Sequence, residues 1–439
     1  MPEIRPFRAL RYRADEVDDL AAVISPPYDV IGPDEQRELL ARDPRNVVRL
    51  DLPAAEPGDE PEDRYRRAAR TLAAWRSDGT LHKDPRPSLY VYEQTYRLPG
   101  GAEERSQRGF FGRVRLEPFG PGSGVLPHER TLAAPREDRY RLLRATGVNT
   151  SPVVALYADG TGIAAAVLAT LTAGPADLDV ADSDGVRHRL WVVPDDGQSD
   201  GPVARLVAAA SEGPLTIADG HHRYETALRY RDERRMTRSC EEDPAFDYVL
   251  TLLLDTTAEP LTVLPTHRIL LELTDAGLER LRAGLGELFS AREASADEIC
   301  HSFGGPVDGV GGRGRFGLWT RGFGALLDAR RESVEPLLPQ GGDALRRLDV
   351  TVLEAAIGRL TGIDATAVAE GRLAFTKSAP GAVERVDRRA DGADAAFFVE
   401  PTPVADVLAV ARDGDVMPQK STYFYPKAAS GLVINPHEW

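Results

Sequence analysis

The stretch Pro214–Tyr230, PLTIADGHHRYETALRY, places an apolar run, a turn and a helical pattern next to one another. The run PLTIAD predicts a buried strand, Gly220 permits a tight turn, and the residues that follow predict a helix beginning at about His222. The first N–H groups of a helix have no partner within the helix and lie at the positive end of its dipole. This strand–turn–helix junction is therefore typical of a site that binds an anion.

The side chains at this junction strengthen that interpretation. His221, His222 and Arg223 add donors at the predicted helix start, and two of the eight histidines of the chain stand here side by side. We therefore predict that Asp219, Gly220, His221, His222 and Arg223 form a phosphate site. The alternative is that Asp219 only caps the helix and the histidines only pack. A zinc site is disfavoured, because adjacent histidines point in different directions, and we predict no bound metal of this kind.

The remaining pattern predicts an α/β fold joined to an α+β fold. The runs SLYVYEQTYRL and RGFFGRVRLEPF predict a hairpin around Gly100 and Gly101, and DYVLTLLLD predicts a buried strand. The later runs DAGLERLRAGLGELF and DVTVLEAAIGRLTG predict amphipathic helices. These patterns divide the chain into a core of residues 1–265 and an α+β domain of residues 266–439, whose C-terminal segment returns lysines to the site.

Composition excludes several classes of function. The 439 residues are 42% hydrophobic and 28% charged, as in an ordinary globular protein, and the net charge of -15 disfavours nucleic-acid binding. The N-terminus lacks the apolar core of a signal peptide, and the apolar stretch GIAAAVLATLTAG is too short to span a bilayer. Cys240 and Cys300 lack metal spacing, so we expect reduced thiols and a cytoplasmic location.

Lysine usage marks a second region. Only Lys83, Lys377, Lys420 and Lys427 are lysines among 54 basic residues, and two of them lie within MPQKSTYFYPKAASGL, residues 417–432. A compact, flexible ammonium group suits phosphate recognition, so we predict that Lys420 and Lys427 contact phosphates. The alternative is a chance grouping, with Ser421 or Thr422 in a capping role.

Two further stretches place basic and acidic side chains in predicted loops or at a strand edge. LPHERTL carries His128, Glu129 and Arg130, and Glu129 suits a general base tuned by its neighbours. The same loop is equally typical of a surface ion pair. PTHRIL carries His267 and Arg268, a weaker pattern. The sequence GRGRFG matches a nucleotide-binding spelling, but a predicted strand rather than a helix follows it, so we reject it.

Eight blocks of the chain, in this order, resemble the bacterial and archaeal family called domain of unknown function 1015. The resemblance covers nearly the whole chain and implies no established reaction. The blocks are SPPYDVI, NVVRLDLP, VLPHERTL, LLRATGVNTSPVVALY, GVRHRLWVV, IADGHHRYETAL, LPTHRIL and MPQKSTYFYPKAASGLV.

The block IADGHHRYETA is also similar to the nucleotide-binding motif of the ParB and sulfiredoxin superfamily, which includes kinases of free serine. This resemblance implies a ParB/sulfiredoxin-like mixed core with insertions, in which Asp219 to Arg223 hold nucleotide phosphates. About 190 residues separate the Pro-rich segment at Asp29 from the Asp-Gly turn, more than in compact members. The turn lacks a cysteine and no helix-turn-helix follows it, so neither sulfiredoxin chemistry nor DNA binding is supported.

The combined hypothesis is a kinase that transfers a phosphoryl group from ATP or ADP to a small hydroxyl metabolite, with free serine as the best single candidate. His222 would act in catalysis and bind the phosphate donor. Asp29 or Glu129 would accept the proton of the hydroxyl group. His128, Arg130, His267 and Arg268 would bind the substrate, and Mg²⁺ would arrive with the nucleotide. A phosphatase and a non-catalytic nucleotide sensor remain open as alternatives, and the sequence does not decide the oligomeric state.

Overall fold

The computed structural model describes residues 1–13, 16–98, 101–131, 133–237, 242–258, 261–305 and 314–439. By its internal contacts the chain divides into two units that alternate along the sequence. The first unit comprises Met1–Leu126, Thr131–Pro260 and Pro426–Trp439, and the second comprises Pro127–Arg130 and Leu261–Tyr425. The sequence analysis predicts a single boundary between residues 265 and 266, whereas the two units alternate along the chain.

The first unit is a mixed α/β structure. Its helices, in the described part of the chain, are α1 (Leu20–Val23), α2 (Pro33–Arg42), α3 (Val48–Asp51), α4 (Asp63–Ser77), α5 (Ala133–Thr146), α6 (Ile163–Leu171), α7 (Pro202–Ala210) and α8 (His221–Thr237). Short 3₁₀ turns lie at Tyr28–Val30 and Ala245–Asp247. Its strands before the second unit are β1 (Ile4–Arg5), β2 (Leu10–Tyr12), β3 (Leu81–Lys83), β4 (Ser88–Arg97), β5 (Glu104–Arg115), β6 (Val125–Leu126), β7 (Val148–Asn149), β8 (Val153–Tyr157), β9 (Leu178–Ala181), β10 (Arg187–Pro194), β11 (Leu215–Asp219) and β12 (Tyr248–Asp255).

One large sheet organises the first unit, with the strand order β6-β11-β8-β12-β5-β4-β10-β9 and β1 paired with β5. The pairs β6–β11 and β8–β12 are parallel, and the other pairs are antiparallel. Every residue of β12 is buried, as expected for an interior strand with both faces covered. The predicted hairpin is confirmed as β4 and β5, in which Tyr90 pairs with Phe111. Residues 99 and 100 of its predicted turn lie outside the described residues.

The second unit consists of a different set of elements. Its helices are α9 (Asp275–Leu288), α10 (Ala296–Phe303), α11 (Arg331–Val334), α12 (Asp343–Arg346), α13 (Asp349–Thr361), α14 (Ala365–Ala369), α15 (Ala379–Asp387) and α16 (Val404–Arg412), with 3₁₀ turns at Glu335–Leu337 and Ala390–Gly392. Its strands are β13 (Thr262–Leu264), β14 (His267–Leu271), β15 (Phe289–Glu293), β16 (Arg315–Thr320), β17 (Phe323–Ala329), β18 (Leu373–Thr376), β19 (Ala393–Phe398) and β20 (Tyr423–Tyr425).

An antiparallel sheet of order β15-β17-β16-β19-β14-β18 forms the centre of the second unit. Side chains alternate between its two faces, as the strand period requires. Leu270 and Phe397 pack with helices α9 and α13, whereas Ile269 and Phe398 pack with α10 and α15. Helices therefore cover both faces of this sheet, and β18 lies at its edge next to β14.

Short pairings join distant segments within each unit. In the second unit, the Met417 N–H donates to the His128 carbonyl at 2.8 Å and so connects the 127–130 segment to the later part of that unit. The chain then returns to the first unit, where β21 (Asn435–Pro436) pairs with β7. There the Ser430 N–H donates to the Ser25 carbonyl at 2.8 Å.

The structure leaves a few predictions unaddressed. The ParB/sulfiredoxin-like character of the core stays a prediction. Cys300 is a free thiol, whereas Cys240 lies outside the described residues, as does most of the glycine-rich turn before β16. Within the described ranges, no helix combines the length and apolar character needed to cross a membrane.

Candidate functional site

The predicted strand–turn–helix junction is present in the first unit. Strand β11 ends at Asp219, and helix α8 begins at His221, one residue earlier than predicted. Gly220 between them has a φ of +89°, and a Cβ atom at this position would lie 3.2 Å from the Val153 Cα atom. A larger residue would therefore be both strained and crowded against backbone. The turn places the start of α8, the positive end of its dipole, directly after a buried strand.

Asp219 holds two cations at this junction. Its Oδ2 atom accepts a hydrogen bond from Arg223 Nη2 at 2.5 Å, and its Oδ1 atom accepts one from Lys427 Nζ at 2.5 Å. The three side chains are 8–14% exposed. Lys427 comes from a segment 208 residues away along the chain. One of the two lysines predicted to return to the junction therefore lies there, bound to a carboxylate.

The structure gives Arg223 a different position from the one that we predicted. Its guanidinium donates to the Pro152 carbonyl as well as to Asp219, and its Nη2 atom lies 3.8 Å from Asp29 Oδ2. Burial by itself would lower the pKa of Arg223, but the charges of Asp219 and Asp29 raise it above its ordinary value. Arg223 therefore stabilises the turn by binding protein carboxylates. This placement favours a structural role over direct contact with a phosphate.

The two neighbouring histidines differ in access. His221 is buried at 7% exposure, whereas His222 is half-buried. Successive residues on a helix point about 100° apart, so the two imidazoles face different surroundings. Of the pair, His222 is the one that a ligand at the start of α8 can reach.

A second group of polar side chains in this unit escaped the sequence analysis. We call it the Asp51 cluster: Tyr28, Asp51, Arg139, Thr150, Ser151 and Ser430. The Asp51 carboxylate is 1% exposed and accepts hydrogen bonds from the hydroxyls of Thr150 at 2.6 Å, Ser430 at 3.0 Å and Ser151 at 3.3 Å. Tyr28 contributes its backbone N–H to Asp51 at 3.3 Å.

Arg139 provides the positive charge of the Asp51 cluster. Its Nη1 atom lies 3.9 Å from Asp51 Oδ1, and its guanidinium stacks 3.9 Å from the centre of the Tyr28 ring. Burial raises the pKa of Tyr28 well above its ordinary value, so the phenol stays neutral. Except for Arg139, these residues lie within the eight blocks named above, but their serine, threonine and aspartate side chains carry no pattern that sets them apart from capping residues.

A small cavity adjoins the Asp51 cluster and Arg223. Its volume is about 40 Å³, and Asp51, Arg139, Thr150, Ser151 and Arg223 contribute to its lining. A water molecule occupies about 30 Å³ of liquid volume, so the cavity has room for water but not for a nucleotide. A nucleotide at this junction would therefore lie on the accessible side of the α8 start, where His222 is half-buried.

Six of the other predicted site residues lie in the second unit, and three of them, His128, His267 and Arg268, are buried. His128 has no exposed surface, and its Nε2 atom lies 3.1 Å from Thr422 Oγ1. His267 also has no exposed surface, and its ring packs against Phe398. Burial, aided by the Arg268 charge, lowers the pKa of His267 from 6.5 to about 3, so its imidazole is neutral. These placements favour packing over the substrate contact that we predicted for both histidines.

Arg130 and Arg268 of the same predicted set line one pocket of the second unit. Glu129, which precedes Arg130 in sequence, is half-buried, and its backbone bridges to Met417. Lys420 is exposed, has a φ of +54°, and accepts a hydrogen bond from Thr266 Oγ1 at its carbonyl. Lys420 thus belongs to the second unit and Lys427 to the first. The two candidate bases are divided in the same way, with Glu129 in the second unit and Asp29 in the first.

The side chains that the structure describes contain no group of three or more His, Cys, Asp or Glu residues arranged to hold a metal ion. A nucleotide-borne Mg²⁺ requires fewer protein ligands, because phosphates and water fill most of its positions. Asp29 lies 3.8 Å from Arg223 and keeps 26% of its side chain exposed.

The family described as "Protein of unknown function (DUF1015)" matches residues 4–351 of this chain. The curated proteins compared with the chain include no match.

Solved structures that align with the chain include three proteins. A free serine kinase in complex with AMP is 12% identical over 69% of this chain and 83% of that chain, with a TM-score of 0.35. A conserved hypothetical protein from Pyrococcus furiosus is 14% identical over 71% and 92%, with a TM-score of 0.36. SbnI with a C-terminal truncation, from Staphylococcus aureus, is 10% identical over 74% and 86%, with a TM-score of 0.37. Likenesses this weak carry no argument about function.

Proposed function

This chain belongs to the DUF1015 family of proteins of unknown function, and we propose that its first unit binds the phosphates of ATP or ADP at the start of α8. We propose further that it is a phosphotransferase, a kinase whose acceptor is a small hydroxyl metabolite such as free serine. The observation that supports the proposal is the position of Lys427, which Asp219 holds at the start of α8 from a distant segment.

The charges at the junction suit an anionic ligand. Asp219 and Asp29 offset the two positive charges of Arg223 and Lys427. The attraction for an anion that we propose therefore comes from the partial positive charge of the helix start and from the first N–H groups of α8. Backbone N–H groups, the half-buried His222 imidazole and the Lys427 ammonium would then contact the phosphates, while Arg223 keeps Asp219 and the turn in place.

Asp29 is the general base of this proposal, because it lies in the same unit as the junction and part of its carboxylate is exposed. It would take the proton of the acceptor hydroxyl as that oxygen attacks the terminal phosphorus and the bond to the leaving phosphate breaks. Protonation of Asp29 removes one negative charge near Arg223, so the junction becomes more positive while charge builds up on the phosphoryl group. Mg²⁺ would supply charge neutralisation on the nucleotide.

A ligand titration tests the binding step. ATP, ADP and AMP are added separately to the full chain, and the melting temperature and the heat of binding are measured. We expect ATP or ADP to stabilise the protein, by about 2.7 kcal/mol at a hundredfold excess over Kd. His222→Ala and Lys427→Met should lose most of that gain. Lys83→Met is the matched control, since Lys83 pairs with Glu438 in the same unit away from the junction.

Turnover is then followed with L-serine and ATP or ADP by phosphorus NMR. Asp29→Asn should bind nucleotide with unchanged affinity but form no phosphoserine, whereas loss of turnover in Glu129→Gln alone would assign the base to Glu129. Release of phosphate from phosphoserine without nucleotide would support the phosphatase instead. Nucleotide binding without turnover, unaffected by Asp29→Asn and Glu129→Gln, would identify a sensor. The absence of any nucleotide effect on the wild type contradicts the proposal.

A further inference from the structure

The second unit contains a pocket that the proposed function does not use. Its volume is about 80 Å³, more than twice the volume of about 30 Å³ that one water molecule occupies in the liquid. Most of its wall is aliphatic or aromatic, and its polar lining comes from two arginines, two carboxylates and a glutamine. The lining residues are Arg130, Arg268, Glu354, Ile357, Ile363, Asp364, Val368, Leu373, Phe375, Pro418 and Gln419. We call this cavity the Arg268 pocket.

Local structure explains how the wall forms. Arg268 on β14 pairs directly with Phe375 on the edge strand β18, so the two side chains lie on the same face of the sheet. The guanidinium carbon of Arg268 is 5.7 Å from the centre of the Phe375 ring. Glu354 and Ile357, three residues apart on α13, lie on one face of that helix and provide another side of the pocket.

Arg268 is buried in this wall without a carboxylate partner. It is 2% exposed, and its Nη1 atom donates to the carbonyl and the hydroxyl of Thr266. Among the residues that the structure describes, no carboxylate lies within salt-bridge distance of Arg268, and its Nε and Nη2 atoms have no hydrogen bond. Burial lowers the pKa of Arg268 to about 10, and the more distant Glu354 and Glu129 offset only part of that effect.

The two carboxylates of the pocket do not supply the missing charge. Asp364 accepts a hydrogen bond from the Ala367 N–H at 2.9 Å and caps α14. Glu354 keeps exposed surface and forms no ion pair with Arg268 in the described part of the chain. Arg130, at the exposed rim, likewise has no ion pair there and adds a second positive charge.

Arg113 in the first unit shows what a purely structural buried arginine looks like in this protein. It is fully buried, and burial lowers its pKa to about 10 as well. Its guanidinium donates through Nε and Nη2 to Asn435, to the Pro436 carbonyl and to the Glu438 carbonyl, and its Nη1 atom is enclosed without a hydrogen bond in the described part of the chain. Arg268 has comparable burial but leaves donors toward a cavity, where a ligand anion can approach them.

We propose that the Arg268 pocket binds a small molecule with an anionic head group, a carboxylate or a phosphate, on a compact aliphatic body. The head group lies between Arg268 and Arg130, which match its oxygens with planar pairs of N–H donors. The body contacts Ile357, Ile363 and Val368. This proposal does not depend on the nucleotide site proposed above.

The test uses isovalerate, isobutyl phosphate and neutral isovaleramide as probes on the full chain, by calorimetry and saturation-transfer NMR. We expect isovalerate or isobutyl phosphate to bind the wild type at least tenfold more tightly than isovaleramide. The preferred head group identifies the ligand as a carboxylate or a phosphate. Arg268→Met should weaken binding of the anion at least tenfold. Arg359 lies on helix α13, which also contributes Glu354 and Ile357 to the pocket, but Arg359 pairs with Glu287 on the surface. The control variant Arg359→Met should therefore bind the anion as the wild type does.

Arg130→Met provides a second variant whose folding is not in question, because Arg130 is exposed, and it should weaken the same binding severalfold. His222→Ala should leave the binding unchanged, which separates this site from the nucleotide site. The proposal is overturned if neither anion binds the wild type, if isovaleramide binds as tightly as the anions, or if Arg268→Met and Arg130→Met both keep full affinity.

Discussion

Arg223 in the first unit and Arg268 in the second are both nearly inaccessible, at 9% and 2% exposure, but their electrostatic surroundings are opposite. Arg223 meets the Asp219 carboxylate at 2.5 Å and has Asp29 at 3.8 Å, so its pKa is raised. Among the described residues, Arg268 hydrogen-bonds only to the oxygens of Thr266, and burial lowers its pKa to about 10. Burial alone therefore does not indicate the role of a cation. A buried cation that carboxylates surround stabilises the fold, whereas one without such carboxylates can bind an anionic ligand.

The same contrast extends to the whole surroundings of the two residues. The Asp51 cluster and the α8 junction satisfy nearly every charge with a protein partner. The Arg268 pocket combines an apolar wall with a buried guanidinium that forms no ion pair among the described residues. Mutations that remove a charge from the first set should therefore destabilise the fold, whereas a similar change in the second set should affect ligand binding more than stability.

The largest effect is expected for Asp51→Ala. The change removes the carboxylate that Thr150, Ser151 and Ser430 contact, and it leaves Arg139 without one of its two carboxylates. We expect a loss of about 4 kcal/mol in the stability of the first unit. This loss of stability is measured by hydrogen–deuterium exchange over β11 and α8. Asp34→Ala, at an exposed ion pair, is the control, and equal protection in both variants would contradict a structural role for Asp51.

Arg223→Met is expected to have the next largest effect. It leaves Asp219 buried beside Lys427 and frees the Pro152 carbonyl. Breaking a buried pair in this way costs about 3 kcal/mol. Exchange over β11 and α8 should increase while exchange over β14 and β18 stays constant. A variant as stable as the wild type would show that Asp219 and Lys427 suffice for the turn.

The buried imidazole of His267 makes the second unit sensitive to acid. Its pKa falls from 6.5 in the unfolded chain to about 3 in the fold, so between these values the unfolded state binds the additional proton. Stability is therefore complete above pH 6.5 and decreases as the pH falls, by about 2 kcal/mol at pH 5. His267→Asn, whose amide oxygen can still accept from the Val399 N–H, should remove this dependence when unfolding is measured between pH 7 and pH 5. An unchanged pH slope would mean that other groups cause it.

The smallest effect on stability is expected for Arg268→Met, although it carries the same substitution as Arg223→Met. No ion pair is broken within the described residues, and the methionine side chain fills part of an apolar wall. The stability of the second unit should change by less than about 1 kcal/mol, as measured by exchange over β14 and β18. A loss as large as that of Arg223→Met would remove the contrast between the two arginines.

The local part of the α8 junction could be predicted from the sequence because neighbouring residues determine it. A strand, a glycine and a helix follow one another within a few residues, and Asp219 and Arg223 are close along the chain. The prediction differed from the observed helix start by one residue. The hairpin of β4 and β5 was predictable for the same reason, since its strands alternate and adjoin in sequence.

The partners of these residues could not be predicted in the same way. Asp51 meets hydroxyls from positions 150, 151 and 430, and serine or threonine at these positions has the same local pattern as a turn residue. His128 and His267 suggested accessible ligands by their residue type, yet packing places both in the core. Burial depends on which distant segments cover a side chain, and no short pattern contains that information.

By itself, the sequence determined the elements, the glycine turn before α8, the acidic net charge and membership of a family, because each of these follows from composition or from residues close in the chain. The tertiary structure decided that Lys427 reaches Asp219, that Lys420 lies in the other unit, and that Arg268 is buried with no ion pair to any residue the structure describes. These outcomes depend on contacts between segments hundreds of residues apart. Their electrostatic effects arise only when the fold excludes water from the charges.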